Sequence, residues 1–541
     1  MVFIMTTLAE QLVQSLQARG VRHVFGIPGG PSIPYMEAMR KNGIEFVLVS
    51  NEQSAGMMAD VCGRLTGIPG VCHATFGPGA TNLATGVGGA LLDRSPLIAF
   101  TTEVKAADIG RKVQMNIDHQ ALFRPLTKWT TRLSPGNFPE TISRAFQIAT
   151  AEMPGPVHVG LPSNIDAEPI GSDCIADVCE KTSVSPPNPA ALEMVGKLLR
   201  KAKKPIFAIG LTAARQQLYP AIRALVDRNN VPVVLTPMAK GIIVENHPCY
   251  AGVLFHSCSE IVATVYRQAD LVVGIGYDSI EFNYESWLPK AALVHIDTEP
   301  ADVPSDCGLV CEAVGDLAVS IEFLQSLVLP TYNWDLNEIS KNRQLIFQAL
   351  QPETDLCSPS EMIVALREAL PADGILTADV GAHLHLLGQL WTVREPQQFL
   401  MTNGWSSMGF GIPSAIGAKL CRPELQVVCV TGDGGFLMNC GELMTARRLG
   451  LNVVVVVLCD KNLSLIEVKQ GWRHLPQYAT DVNSGEYFAA EFFLGVPVLK
   501  ATNAGEMKTA LQKAFSACGP VIIEAAVDGS VYRNLITRSY K

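Results

Sequence analysis

Short apolar runs that end in glycine or a small polar residue alternate along the chain with segments whose apolar positions recur every three to four residues. The first rhythm predicts buried parallel strands, and the second predicts the helices that cover them. Within residues 1–185 the strand signals fall at 21–26, 46–50, 70–75, 97–101 and 156–161, with helical patterns such as 7–19 and 55–66 between them. A proline-containing joint, Ser183-Val184-Ser185-Pro186-Pro187-Asn188-Pro189, closes this stretch. Beyond it the runs 205–210, 231–235, 271–276 and 292–297 repeat the signal. A less regular connection at 330–354 leads to a third stretch, with runs at 374–379, 426–431, 453–458 and 520–526. The pattern predicts an α/β protein of three doubly wound parallel-sheet domains, spanning 1–185, 190–335 and 355–541.

Composition narrows the picture. The 541 residues, 48% of them hydrophobic, suffice for several cores and exclude global disorder. The charged fraction of 17% is low for a soluble chain and predicts extensive buried surface and an oligomer. A net charge of −9 without a Lys/Arg cluster argues against a nucleic-acid partner. The longest apolar run, 451–459, is interrupted by Asn452 and is far short of the ~20 residues of a membrane span. Glu10 interrupts the N-terminus before a signal-peptide core could form. The 14 cysteines are scattered without a Cys-x-x-Cys pair, as expected of reduced thiols in the cytoplasm.

The chemistry concentrates in the third stretch. The strand signal at 426–430 runs into Thr431-Gly432-Asp433-Gly434-Gly435-Phe436, and the one at 453–458 ends in Cys459-Asp460-Lys461-Asn462. Asp433 and Asp460 are thereby expected at the C-terminal ends of two strands separated by one helix, the edge where ligands gather in open α/β sheets. Glycines around Asp433 let backbone N–H groups approach an anion, and paired carboxylates suit Mg²⁺ bound together with phosphate oxygens. A lone Gly-Asp-Gly is usually a tight turn, and a lone Asp usually a helix cap or loop residue. The pair at matching strand ends predicts a metal-diphosphate site.

Gly432-Asp433-Gly434 followed by Asp460-Lys461-Asn462 resembles the motif of thiamin-diphosphate enzymes, and residues 432–446 are similar to those of acetolactate synthases. The resemblance implies thiamin diphosphate and Mg²⁺ as cofactors. Asp433, Asp460 and the Asn462 carbonyl would bind the metal, and Gly432, Gly434 and Gly435 would lie along the cofactor. Asp460 stands where many relatives carry Asn and keeps an oxygen ligand. Glu52, in Ser50-Asn51-Glu52-Gln53, matches the glutamate that activates the cofactor by hydrogen-bonding its aminopyrimidine ring; Asn51 replaces the His often found before it. Phe76-Gly77-Pro78-Gly79-Ala80-Thr81-Asn82 resembles a turn of the same family, with Phe76 in place of Ser. The segment 403–411 resembles the one that cradles the aminopyrimidine, with Met408 bending the cofactor and the Ser406 carbonyl accepting from its amino group. Val380-Gly381-Ala382-His383 resembles the diphosphate-contacting turn, giving Gly381 and His383 as contacts. The implied domain order is pyrimidine-binding, middle Rossmann-like and diphosphate-binding. The implied assembly is a homodimer or homotetramer whose sites take Glu52 and Asp433 from different subunits.

The reaction follows less directly. Gln114 to Gln120 and the following residues to Trp129 resemble the acetolactate synthase active-site loop, although the placement of Gln114 is closer to benzaldehyde lyase. Gln114 and His119 offer hydrogen bonds to a substrate oxygen, and Gln114 is assigned to orient substrate. Residues 273–281 resemble flavin-free catabolic acetolactate synthases and lack the Arg-Phe-Asp-Asp-Arg stretch of the flavin enzymes, so FAD is not expected. Leu463, Leu465, Ile466 and Val468 either wall a substrate pocket or pack a helix. The leading expectation is a decarboxylating carboligase acting on pyruvate or another 2-oxo acid. The alternative is a lyase or decarboxylase acting on an aldehyde, acyloin or acyl-CoA. A nicotinamide dehydrogenase would need a Gly-x-Gly-x-x-Gly turn, which the chain lacks. A non-catalytic binding protein is disfavoured by the intact Glu52.

Overall fold

In the computed structural model, which describes residues 5–171, 183–281, 291–352, 354, 357–482, 485 and 488–536, three α/β units follow one another along the chain. The first sheet is parallel, in the order Glu45–Leu48, His23–Ile27, Gly70–Ala74, Leu97–Glu103, Pro156–Pro162, Trp129–Arg132. The middle sheet, also parallel, runs Tyr250–Val253, Val233–Leu235, Pro205–Ile209, Leu271–Ile275, Ala292–Asp297, Leu309–Val314. The third runs Phe399–Leu400, Ile375–Ala378, Val427–Gly432, Val453–Cys459, Val521–Ala526, Val496–Ala501, Phe492–Phe493, and only its last strand is antiparallel to its neighbour. Outside these sheets, Met5–Thr7 pairs antiparallel with Pro169–Gly171.

Most strands that the hydropathy pattern marks are buried ones inside the sheets, although Glu45–Leu48 is a largely exposed edge. Those it passes over are mostly edges: Trp129–Arg132 is half-buried along its length, and Leu309–Val314 is mostly half-buried, with Val310 exposed and Ala313 buried. The connection expected to be irregular at 330–354 holds a helix, Leu336–Ala349, capped by Asp335 accepting from Asn337 N at 2.8 Å. Its inner face is Ile339, Asn342 and Ile346, while Leu345 and Phe347 are exposed, so apolar residues on both faces blur the helical period. All twelve described cysteines are free. No helix among the described residues is long and apolar enough to cross a membrane.

Strand periodicity explains how the units join. In the third sheet Val428, Val430, Val454, Val456 and Leu458 point into a core shared with the middle unit. Their alternates, Val427, Cys429, Val453, Val455 and Val457, point into a core shared with the first unit. Side chains on a strand alternate between faces, so one β-branched run serves two interfaces at once. The first sheet uses the same device: Phe25, Cys72 and Ala99 face the shared core, while Val24, Val71 and Ile98 face an outer core of their own.

A polar anchor crosses the seam between the first and third units. Arg64 donates to Asp60 at 2.7 and 2.6 Å, to Asp93 at 3.0 Å, to Ser95 Oγ at 2.9 Å and to the Met401 carbonyl at 2.6 Å. Asp93 in turn accepts from the backbone N–H groups of Asn403 and Gly404 at 3.1 and 2.9 Å. Removing the guanidinium leaves Asp60 and Asp93 buried without a counter-charge, a change that typically costs about 3–5 kcal/mol. Arg64→Met is expected to lower the unfolding free energy in urea by about that much, whereas a loss below ~1 kcal/mol would show the pair to be no better than a surface bridge.

Candidate active site

Gly381, His383, Ser406, Met408, Gly432, Asp433, Gly434, Gly435, Asp460 and Asn462 line one cavity of about 480 Å³. The parallel register places Gly432 opposite Leu458, so the residues that follow these two strands emerge side by side. Asp433 is buried; its Oδ1 accepts from Gly434 N at 2.8 Å and its Oδ2 from Lys461 N at 2.6 Å. Lys461 reaches that position with a left-handed φ of 60°. Asp460 accepts from Ser464 Oγ at 2.5 Å and from Asn462 N at 3.1 Å. Burial pushes both carboxyls up; that of Asp460 reaches about 6, with the charge of Asp433 adding to the effect. Two buried carboxylates that oppose each other's ionisation suit a divalent cation.

The rest of the cavity leaves both space and unpartnered polar atoms for a ligand. His383 Nε2 and Asn462 Oδ1 are buried without a hydrogen-bond partner. A Cβ at Gly381 would lie 2.7 Å from His383 Cε1, and one at Gly434 would lie 2.9 Å from Leu463 Cδ2 and 3.3 Å from Met408 Cε. The glycines therefore keep open the space against which Met408 and Leu463 stand. Burial lowers the His383 imidazole to about 4 and keeps it neutral.

One organising residue was not anticipated. Asp379, buried at the end of Ile375–Ala378, accepts from Val380 N at 2.7 Å, Gly409 N at 2.9 Å, Gly411 N at 3.1 Å and Thr431 Oγ1 at 3.3 Å. It ties the Gly381 turn, the 403–411 segment and the Asp433 strand to one point. Gly409 permits this with a φ of 86°, and a Cβ there would meet Asn439 Nδ2 at 2.6 Å. The available signal was its place at a predicted strand end, the same signal that marked Asp433.

Glu52 lies elsewhere in the chain and does not line this cavity. It opens the helix Glu52–Thr66, whose cap Asn51 accepts from Gln53 N at 2.9 Å. Its buried carboxylate accepts from Asn82 Nδ2 at 3.1 Å, and a Cβ at Gly79 would stand 3.1 Å from Oε1. Glu442 holds the preceding backbone, accepting from Ser50 N at 2.9 Å and Asn51 N at 3.2 Å. Gln114 is exposed, in a loop where Met115 O would lie 2.6 Å from a Cβ at Gly77, so it belongs with the Glu52 side.

His119 is not placed as expected. It is buried, and its Nε2 accepts from Gly77 N at 3.3 Å, which assigns the ring proton to Nδ1. A directed chain follows: His119 Nδ1 to Thr101 Oγ1 at 2.9 Å, Thr101 to His158 Nε2 at 2.7 Å, His158 Nδ1 to Thr130 Oγ1 at 2.7 Å, and Thr130 to Gln120 Oε1 at 2.7 Å. Gln120 Nε2 ends it on Glu103 at 2.9 Å. Both ring nitrogens are engaged in holding the Gly77 turn, so His119 has no hydrogen bond left for substrate. Glu103, His119 and His158 could each offer a ligand atom within 4.8 Å of the others, but this chain already occupies them.

Residues 6–122, 192–327 and 379–525 match, in turn, the N-terminal TPP binding domain, central domain and C-terminal TPP binding domain of thiamine pyrophosphate enzymes. A probable acetolactate synthase large subunit of Methanococcus aeolicus is 30% identical over 96% of this chain and 92% of its own length. The acetolactate synthase of Bacillus subtilis is 30% identical over 97% and 94%, and the catabolic acetolactate synthase of Raoultella terrigena 30% over 96% and 95%. Asp433→Asn keeps the volume but weakens the cation ligand set. It is expected to reduce Mg²⁺-dependent binding of thiamin diphosphate, read by tryptophan fluorescence, by at least the roughly 10–100-fold typical of outer-shell changes. Unchanged binding would remove Asp433 from the metal site.

Proposed function

From the premise that this chain belongs to the thiamine pyrophosphate enzyme family, we propose that it is a decarboxylating carboligase that joins pyruvate, or another 2-oxo acid, to a second carbonyl substrate. The observation that carries the reading is the single cavity that gathers Asp433, Asp460, Met408 and the Gly381 turn in a chain collinear with acetolactate synthases. Bound thiamin diphosphate supplies a nucleophilic carbon and an electron sink for the charge left when CO₂ departs. Asp433, Asp460 and the Asn462 carbonyl would hold Mg²⁺, and the 432–435 backbone with His383 would face the diphosphate. Met408 and Leu463, which stand against the space beside Gly434, would support the cofactor there. Glu52 holds a proton at the aminopyrimidine ring, and Gln114 orients substrate from the same side.

Because Glu52 lies outside the cavity of its own chain, we assign it to the cavity of a second copy, in a homodimer or a pair of dimers. The surface around it supports that assembly. Leu48, Met438 and Met444 are 43%, 54% and 43% exposed, and the Leu48 carbonyl accepts from Thr445 Oγ1 at 3.4 Å, which places these apolar groups near the Glu52 strand end. Exposed apolar groups gathered in this way mark association surfaces.

The flavin-free reading of the middle unit rests on residues 273–281, which lack the Arg-Phe-Asp-Asp-Arg stretch of the flavin enzymes. The turn after Pro205–Ile209 is closed, with Gly210 N donating to Ile275 O at 3.1 Å and Thr212 N to Gly276 O at 3.0 Å. A nearby cavity of about 540 Å³ is lined by Asp278, Asp297, Glu299 and Asp302 together with Arg94, Lys128 and His295, and Arg94 is paired to Asp278 at 2.6 Å.

Incubation with thiamin diphosphate, Mg²⁺ and pyruvate, followed by proton NMR, is expected to show acetolactate. Glu52→Gln should lower the rate by about 10²–10⁴-fold, the usual contribution of a positioned proton-transfer group. Acetaldehyde without acetolactate would make the protein a decarboxylase, and a Glu52→Gln variant of equal activity would remove Glu52 from the reaction.

A further inference from the structure

The cavity extends past the cofactor residues into a part that the reaction as described does not use. There the helix Ser464–Trp472 presents Leu465, Ile466 and Lys469 to the cavity, positions spaced to share one face. Across from them stand Phe255 and His256 from the middle unit and His385 from the helix Ala382–Leu390. The His385 ring lies 4.3 Å from Phe255 and 4.9 Å from His256, centroid to centroid. His385 is 7% exposed, and its Nδ1 is buried without a hydrogen-bond partner.

Charge is unevenly distributed around this space. Among the described residues, the one carboxyl lining the cavity besides Asp433 and Asp460 is Glu281, which burial keeps protonated up to about 8 and which accepts from Met238 N at 2.8 Å. Glu467, on the same helix as Lys469, is engaged by Asn462 and Arg533. No described carboxylate pairs with Lys469, a half-buried cation in a cavity whose other described walls, Asp433 and Asp460 apart, are apolar or neutral. An ammonium in such a setting lowers its energy by meeting an anion.

We infer that Lys469, with His385 beside it, forms a subsite for a second anionic group, so that one of the enzyme's two carbonyl substrates is a 2-oxo acid carrying a carboxylate, phosphonate or sulfonate at its far end. The inference rests on the carboligase reading of the same cavity and adds a substrate class to it. Lys469 supplies the charge, the His385 Nδ1 supplies a hydrogen bond, and Leu465 with Phe255 covers the methylenes between. The apolar walls strengthen the ion pair by excluding water.

The test uses holoenzyme with pyruvate at a fixed concentration and a second acid, either 2-oxoglutarate or 2-oxopentanoate, which lacks the distal carboxylate, with consumption of the second acid followed by NMR. A charge-assisted hydrogen bond is worth on the order of tenfold to a hundredfold, so kcat/KM should favour 2-oxoglutarate by at least about tenfold, mainly through KM. Lys469→Met should bring the ratio to within about threefold of unity, and Lys469→Arg should restore most of it. A wild-type ratio near unity would overturn the inference. So would a Lys469→Met variant that loses thiamin diphosphate affinity with its substrate ratio intact, since that would assign Lys469 to the cofactor. The same two acids are also titrated calorimetrically into Glu52→Gln holoenzyme, which separates binding from turnover. If no 2-oxo acid is consumed, the carboligase reading fails, and tighter binding of 2-oxoglutarate still decides for the subsite while equal binding decides against it.

Discussion

Burying the Asp433 and Asp460 carboxylates side by side at the ends of adjacent parallel strands disfavours their charged forms, and only a cation or a proton relieves the cost. The surrounding architecture holds this pair in place. Backbone N–H groups of Gly434 and Lys461 fix Asp433, while Ser464 and the Asn462 N–H fix Asp460. Asp379 then binds three further backbone N–H groups and Thr431, so the segments that shape the cavity move with the strand ends. A site preorganised in this way needs little rearrangement when its ligand arrives.

The same economy of placement operates at larger scale. The valine-rich strands of the third sheet supply one core through their odd-numbered residues and another through their even-numbered ones. That sheet is consequently clamped on both faces, which keeps its C-terminal edge rigid. The Arg64–Asp93 anchor continues the clamp into the 403–411 segment, because the carboxylate that Arg64 neutralises is the one that receives the Asn403 and Gly404 N–H groups.

Much of this was legible in the sequence because the signals were local. Buried parallel strands read as unbroken apolar runs, and Asp433 and Asp460 followed two such runs directly. Edge strands such as Trp129–Arg132 carried no such run, and the helix Leu336–Ala349 hid behind apolar residues on its exposed face. The errors among side chains were tertiary in origin. His119 looked like a substrate contact because nothing near it in sequence reveals Gly77, Thr101 and His158 as its partners. Asp379 was invisible as a hub because its donors other than Val380 lie about thirty and fifty residues away. Lys469 stood next to apolar residues weighed as pocket walls, and only the fold sets it against His385.

In the proposed assembly Glu52 acts in a cavity that its own chain does not present to it. Chains carrying Glu52→Gln and chains carrying Asp433→Asn, each inactive alone, should therefore regain activity when unfolded together and refolded as a mixture. A hybrid dimer places the intact Glu52 of one copy over the intact metal site of the other. With random pairing, about a quarter of the wild-type activity should return. No recovery, with hybrid dimers demonstrated by mass spectrometry, would mean that each chain builds its site alone, and the account of the assembled site would be wrong.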